Sequence, residues 1–341
     1  MTLDARKKRI LEAVVEQFIH TGEPVGSKFV AEAMDRVVSS ATIRNDMAAL
    51  ENAGLLEQPH TSSGRVPTHM GYRVYIDEMM KVIPLTLSRR AEIDALFNVR
   101  NADPDRLLED AAAALASITG LATFSTTMIP STVTVKKIEI IPAGARTVVI
   151  MLIASSGVVK NKVCRVDFNV TPQIVEFFLK FAQTRLEGKS IEDITSSYLS
   201  AVSVQLGDYS RLFMPVFSAL YDLVKEINEG QYFTKGAVNL LSYPELSRAA
   251  YDLLGFIERR QEMLDIMSHS ASPVQVMIGR ETLASPLAES SVLIARYNIS
   301  QNAAGAIGVI GPVRMDYAEL LPHVEYFART LGKLLSETYN E

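Results

Sequence analysis

Four residues in the stretch 40–45, Ser40, Thr42, Arg44 and Asn45, carry hydrogen-bonding groups at one end of a segment with helical spacing. Ile43, Met47 and Leu50 recur so as to form a single apolar stripe. Thr42, Arg44 and Asn45 fall off that stripe. An arginine in such a place can grip a base edge with two N–H groups. In a helix-turn-helix, the N-terminal residues of the second helix reach the bases. Ser39 or Ser40 can cap the segment, because a serine oxygen accepts from an orphan N–H of the first turn. Gly54 stands where a helix needs a left-handed terminator. An ordinary amphipathic surface helix has the same spacing, so the flanks must decide.

Upstream, Asp4–His20 reads as a helix with Ile10, Val14 or Val15, and Phe18 or Ile19 on one face. The run Thr21–Gly26, with its Pro24 and two glycines, breaks it. Ser27 then caps a short helix to about Met34. Downstream, Leu55–Gln58 and Arg65–Thr68 read as short strands around the turn-rich segment from Pro59 to Gly64. Three helices followed by strand, turn and strand make a winged helix-turn-helix. The segment Gln58–Tyr75 holds His60, Arg65, His69 and Arg73 and no acid. His60, Ser62, Arg65 and Arg73 are therefore expected to face DNA with Ser40, Thr42, Arg44 and Asn45, with Arg65 on a phosphate or in a minor groove.

Charge runs against easy binding. The chain of 341 residues has a formal net charge of −5, and residues 1–75 hold nine Lys or Arg against nine Asp or Glu. Any DNA-facing charge must be concentrated, and nonspecific binding should be weak, because phosphate neutralisation drives it. The cluster Arg6–Arg9 is either a second DNA-facing patch or a solvated helix face. Hydrophobic content of 48% with 21% charged residues argues for a chain folded throughout. A single cysteine, Cys164, rules out an intrachain disulfide and suits a cytoplasmic protein. It lies in a strand pattern, where packing is the expected role. No apolar signal segment or spanning run of ~18 residues is present. The five histidines show no metal-ligand spacing, no cofactor is implied and no catalytic constellation emerges.

The remainder predicts helices over Gly71–Ile83, Leu85–Phe97 and Asp105–Thr119, then strands over Thr132–Ile141, Thr147–Ala154 and Val158–Val166. From Thr171 to about His269 the pattern is mainly helical. Strands return at Val274–Ile278, Ser291–Tyr297 and Ala304–Gly311, and a helix over Tyr317–Leu335 closes the chain. Sheet, helices and sheet again predict one α+β domain split by an insertion. The glycine-rich run Gly305–Gly308 lies in a strand pattern and lacks the lysine of a phosphate loop, so its role is structural. The run Ile278–Glu281 suits an effector contact, a domain interface or a strand-end turn, of which an interface is preferred.

Several of these runs together resemble a known family. They are Arg9–Leu11, Thr21–Lys28, Ser40–Met47, Thr61–Thr68 with Gly71–Arg73, Gly236–Leu241 with Pro244 and Glu245, Ile278–Glu281, and Gly305–Pro312 with Arg314–Tyr317. They are similar to the HrcA family of bacterial heat-inducible transcription repressors, over most of the chain. His69 departs from it, since the family usually carries an acidic or polar residue there. The resemblance implies an α+β multidomain protein with a winged-helix domain over 1–84, a GAF-like α+β domain over 85–170 and 271–341, and an inserted dimerisation domain over 171–270. It also implies a homodimer on an inverted-repeat double-stranded DNA operator, the CIRCE element, and activity modulated by the GroEL chaperonin. The alternatives are a metabolite-responsive repressor with a ligand in the GAF-like domain, or an enzyme or sensor with a DNA-binding appendage.

Overall fold

A computed structural model describes residues 3–34, 38–60, 63–97, 103–128, 133–268, 272–300 and 303–340. The chain begins with helix α1 (Ala5–Thr21), α2 (Ser27–Ala33) and α3 (Ser40–Asn52). A short hairpin of β1 (Leu56–Glu57) and β2 (Val66–Pro67) follows, then α4 (His69–Glu78). The apolar stripes expected from the spacing are buried: Ile10, Val14, Val15 and Ile19 in α1, with Leu11 beside them, share a core with Ile43, Met47 and Leu50 in α3. This is a three-helix winged fold.

After α5 (Leu87–Leu96) and α6 (Pro104–Thr119) the chain enters a five-stranded antiparallel sheet. Its strands are β3 (Ala122–Met128), β7 (Tyr232–Lys235), β8 (Val274–Ile278), β9 (Ser290–Ser300) and β10 (Ala303–Pro312), in spatial order β7-β3-β10-β9-β8. Successive residues of β9 point to opposite faces. Leu293, Ala295 and Tyr297 pack against α6 and the long closing helix α12 (Tyr317–Asn340), while Val292 and Ile294 pack against α10 (Ala250–Ile257) and α11 (Arg260–Ser268). The run Gly305–Gly308 lies in β10, a central strand, as expected of a structural role.

The insertion differs from its expected bounds. Strands β4 (Val135–Gly144), β5 (Thr147–Ala154) and β6 (Val159–Arg165) do not join the body sheet but form a separate three-stranded one. They share a core with α7 (Pro172–Arg185), α8 (Ser196–Val204) and α9 (Ser210–Glu229). The unit therefore runs from about 133 to 229 and is not mainly helical, and β7, α10 and α11 return to the body. Hairpin signals show which strands pair but not which sheet they enter. Strand β3 lies outside the strands expected from the sequence, and it carries Thr123, Ser125, Thr126 and Thr127. All four are buried, and Thr123 and Ser125 donate to the α6 carbonyls of Ala112 and Leu108, each at 2.7 Å.

Phe178 is fully buried in the insertion and stacks on Phe213 with ring centroids 5.0 Å apart. Phe178→Ala should cost about 3–5 kcal/mol of local stability through cavity formation. Amide exchange should accelerate through α9 and leave α3 unchanged, since the two cores are separate. Equal acceleration in α3 would show one cooperative unit instead.

Candidate nucleic-acid interface

Helix α3 is framed at both ends as its sequence requires. Ser39, rather than Ser40, is the cap, and its hydroxyl oxygen accepts from the Thr42 N–H at 3.2 Å. Gly54, at φ +75°, turns the chain out of the helix, and Leu55 N–H donates back to Leu50 O at 3.0 Å. The side opposite the buried stripe carries Ala41, Arg44, Asn45, Ala49 and Asn52, all exposed, with Ser40, Thr42 and Ala48 half-buried. Alanines do not project, so Arg44, Asn45 and Asn52 are the groups that reach outward. Among the described residues, Arg44 and Asn45 have no ion-pair or hydrogen-bond partner. Asn52 was not singled out from the sequence, although its spacing from Asn45 and Ala48 places it on the same face.

One carboxylate sets the rotation of this helix. Asp46 is 7% exposed on the inner side of α3. It accepts from Arg6 of α1 through both oxygens, Nε at 2.7 Å and Nη2 at 3.2 Å. This fork is directional where the apolar stripe is not. It also spends part of the basic cluster. Lys7 pairs with Asp4, the cap of α1, and Lys8 with Glu78 of α4. Three of the four cations in Arg6–Arg9 are thus paired within the domain, two of them with another helix.

The wing stands beside α3. Val25, in the turn between α1 and α2, pairs with Arg65 through two backbone hydrogen bonds of 2.9 Å, an isolated bridge that ties the hairpin to this turn. Gly64 lies so close to this bridge that a Cβ would fall 2.4 Å from Val25 O. No side chain fits there, which explains the glycine before Arg65. At the tip His60 is exposed, and the Ser63 hydroxyl closes the turn by accepting from His60 N–H at 3.0 Å and donating to His60 O at 2.7 Å. Ser62 lies outside the described residues. Thr68 caps α4 and donates to Gly54 O at 2.6 Å, which joins the end of α3 to the wing.

Two expected contacts stand differently. Arg65 is not a free cation: its guanidinium lies on Glu51 of α3, Nε 2.9 Å from Oε2, with the side chain 17% exposed. The stretch around it lacks acids in sequence, but the fold supplies one from the helix before. Arg73 is away from the α3 face altogether. It projects from α4 to Glu281, near β8, with Nε 3.0 Å from Oε1 and Nη2 donating to Val276 O at 2.7 Å. Its partner is distant in sequence and close only in the fold. The run Ile278–Glu281 is accordingly a domain interface, and His69 rests there against Gly279.

Among the described residues no group of three His, Cys, Asp or Glu is placed to hold a metal, and no helix is long and apolar enough to cross a membrane. Cys164 is buried in β6, and burial pushes its thiol up, which suits packing rather than nucleophilic attack.

Residues 2–80 match the family described as winged helix-turn-helix transcription repressor, HrcA DNA-binding, and residues 105–321 match the HrcA protein C terminal domain. The chain belongs to the HrcA family. It is 31% identical to the heat-inducible transcription repressor HrcA of Acetivibrio thermocellus, over 98% of this chain and 99% of that one. It is 32% identical to that of Thermoanaerobacter pseudethanolicus, over 100% and 99%. A crystal structure described as a hypothetical protein shares the fold, with a TM-score of 0.67 at 23% identity, over 99% of this chain and 100% of that one. HrcA proteins are transcription repressors rather than enzymes. The outward face of α3 thus belongs to a winged-helix DNA-binding domain.

The Asp46–Arg6 fork should be measurable. Arg6 is half-exposed, which discounts its contribution. Asp46→Ala should still lower winged-helix stability by about 1 kcal/mol in urea unfolding. No loss would mean that the apolar stripe alone holds α3.

Proposed function

We propose that the chain represses heat-shock chaperone operons in the cytoplasm by binding the inverted-repeat CIRCE operator as a homodimer, with the GroEL chaperonin setting its active fraction. Helix α3 enters the major groove. Ser40, Thr42, Arg44 and Asn45 meet the operator there, His60 and Ser62 of the wing lie along the backbone, and Arg65 braces the wing beside a phosphate. Arg73 is not part of this set. The observation that carries the reading is the exposed, unpartnered pair Arg44 and Asn45 on a helix face otherwise made mostly of alanine. A domain with no net positive charge gains little from phosphates, so selectivity falls to base contacts and to pairing of two chains.

The pairing role belongs to the insertion, with the body sheet and its helices as a GAF-like domain. Phe177 and Tyr209 are 45% and 55% exposed, with ring centroids 5.7 Å apart. With Phe168, Ile174 and Leu212 they line an apolar groove of about 280 Å³. An apolar surface of this kind favours a second copy when folded, and chaperonin capture when heat opens it. Unfolded proteins that occupy GroEL on warming would then deplete the active repressor.

Arg44→Ala should weaken operator binding by about 1–3 kcal/mol in fluorescence anisotropy, the worth of a two-pronged base contact. Thermal unfolding should stay unchanged, because Arg44 has no partner among the described residues. Unchanged affinity would remove α3 from base reading.

A further inference from the structure

The winged helix and the body are joined by two kinds of contact. One is apolar: Tyr72 of α4 meets Tyr317 of α12 edge-on, ring centroids 6.3 Å apart, within a core that runs unbroken from Ile10 to Phe327. Apolar packing holds these surfaces together and limits their angle, and a directional grip adds a second constraint to it. The other is directional. Arg73 grips both oxygens of Glu281 and also the Val276 carbonyl. Glu281 is itself pinned to its turn, accepting from Ile278 N–H at 2.9 Å. Burial pushes the Glu281 carboxyl up, but the bonds from Arg73 and Ile278 outweigh it and leave the group below its usual range, so it stays an anion. Beside this grip the His69 ring lies on Gly279, where φ is +53° and a Cβ would fall 2.4 Å from the ring. Only glycine lets α4 seat so closely.

We propose that the Arg73–Glu281 clasp is a positioning device: it sets the angle of the winged helix on the body and thereby the separation of the two α3 helices on paired half-sites. This rests on the dimeric-operator reading above. Half-sites one helical turn apart lie about 34–36 Å from centre to centre. A helix one to two diameters from the clasp, ~10–20 Å away, swings by roughly 2–3 Å for a rotation of about 10°. That displacement breaks a base contact made through hydrogen bonds of ~3 Å. One chain on one half-site can follow the DNA and loses nothing. Two chains held at fixed spacing cannot. The side chains are 25% and 41% exposed, so the clasp adds little to folding itself.

The test compares Glu281→Gln with wild type on three sets of duplexes: a single half-site, the CIRCE inverted repeat, and repeats with spacing changed by one or two base pairs. Affinity for the single half-site should stay within about twofold, affinity for the inverted repeat should fall on the order of tenfold, and the preference among spacings should flatten. Arg73→Lys keeps the cation but not the two-pronged grip and should act in the same direction, which covers the case in which Glu281→Gln fails to fold. Unchanged affinity and spacing preference would overturn the proposal, as would an equal loss on the single half-site, which marks damage to the winged helix itself. If wild type binds the repeat no more tightly than the half-site, the dimeric-operator reading falls, and the clasp's role with it. A wild-type preference for the repeat that survives in both variants removes the clasp alone.

Discussion

A helix that reads a groove is useful only if it cannot roll, and in this chain the buried carboxylate of Asp46 is what stops α3 from rolling. Ile43, Met47 and Leu50 bury the helix, but an apolar stripe tolerates rotation. Asp46 does not, because Arg6 meets both of its oxygens. With that side fixed inward, Arg44 and Asn45 must point outward. The wing depends on the same frame: Glu51 on α3 holds Arg65, and Gly54 at the helix end receives Thr68.

The arrangement also resolves the charge balance. Residues 1–75 carry equal numbers of acids and bases, and five of the nine bases are held by carboxylates. Arg6, Lys7, Lys8, Arg65 and Arg73 are all paired with carboxylates. Arg44 stands free on the outward face of α3. A domain that keeps its cations at home has little affinity for phosphate in general and must obtain selectivity from a few groups held in register. Rigidity at the helix, at the wing and at the junction with the body serves that end.

Much of the winged helix is legible in sequence because its signals are local. The stripe, the serine cap, the left-handed glycine and the turn-rich wing each lie within a few residues of what they shape. What was not legible depended on partners that only the fold brings together. Arg73 looked free because Glu281 is 208 positions away. Arg65 looked free because its acid lies in the preceding helix. Strand β3 carries hydroxyls that α6 carbonyls satisfy, a pairing that no local pattern records. The bounds of the insertion were missed because a hairpin pattern carries no record of the sheet it joins. The preference for an interface at Ile278–Glu281 held, since the glycine and the acid sit where α4 arrives.

The central claim is that α3, and not α4, lies against operator DNA. It is tested most directly by placing a photoreactive side chain at Asn45 in one variant and at Arg73 in another, then irradiating each with operator duplex and separating protein–DNA adducts on a denaturing gel. Asn45 should give an adduct, competed away by unlabelled operator, and Arg73 none. An adduct from Arg73 with none from Asn45 would contradict that claim.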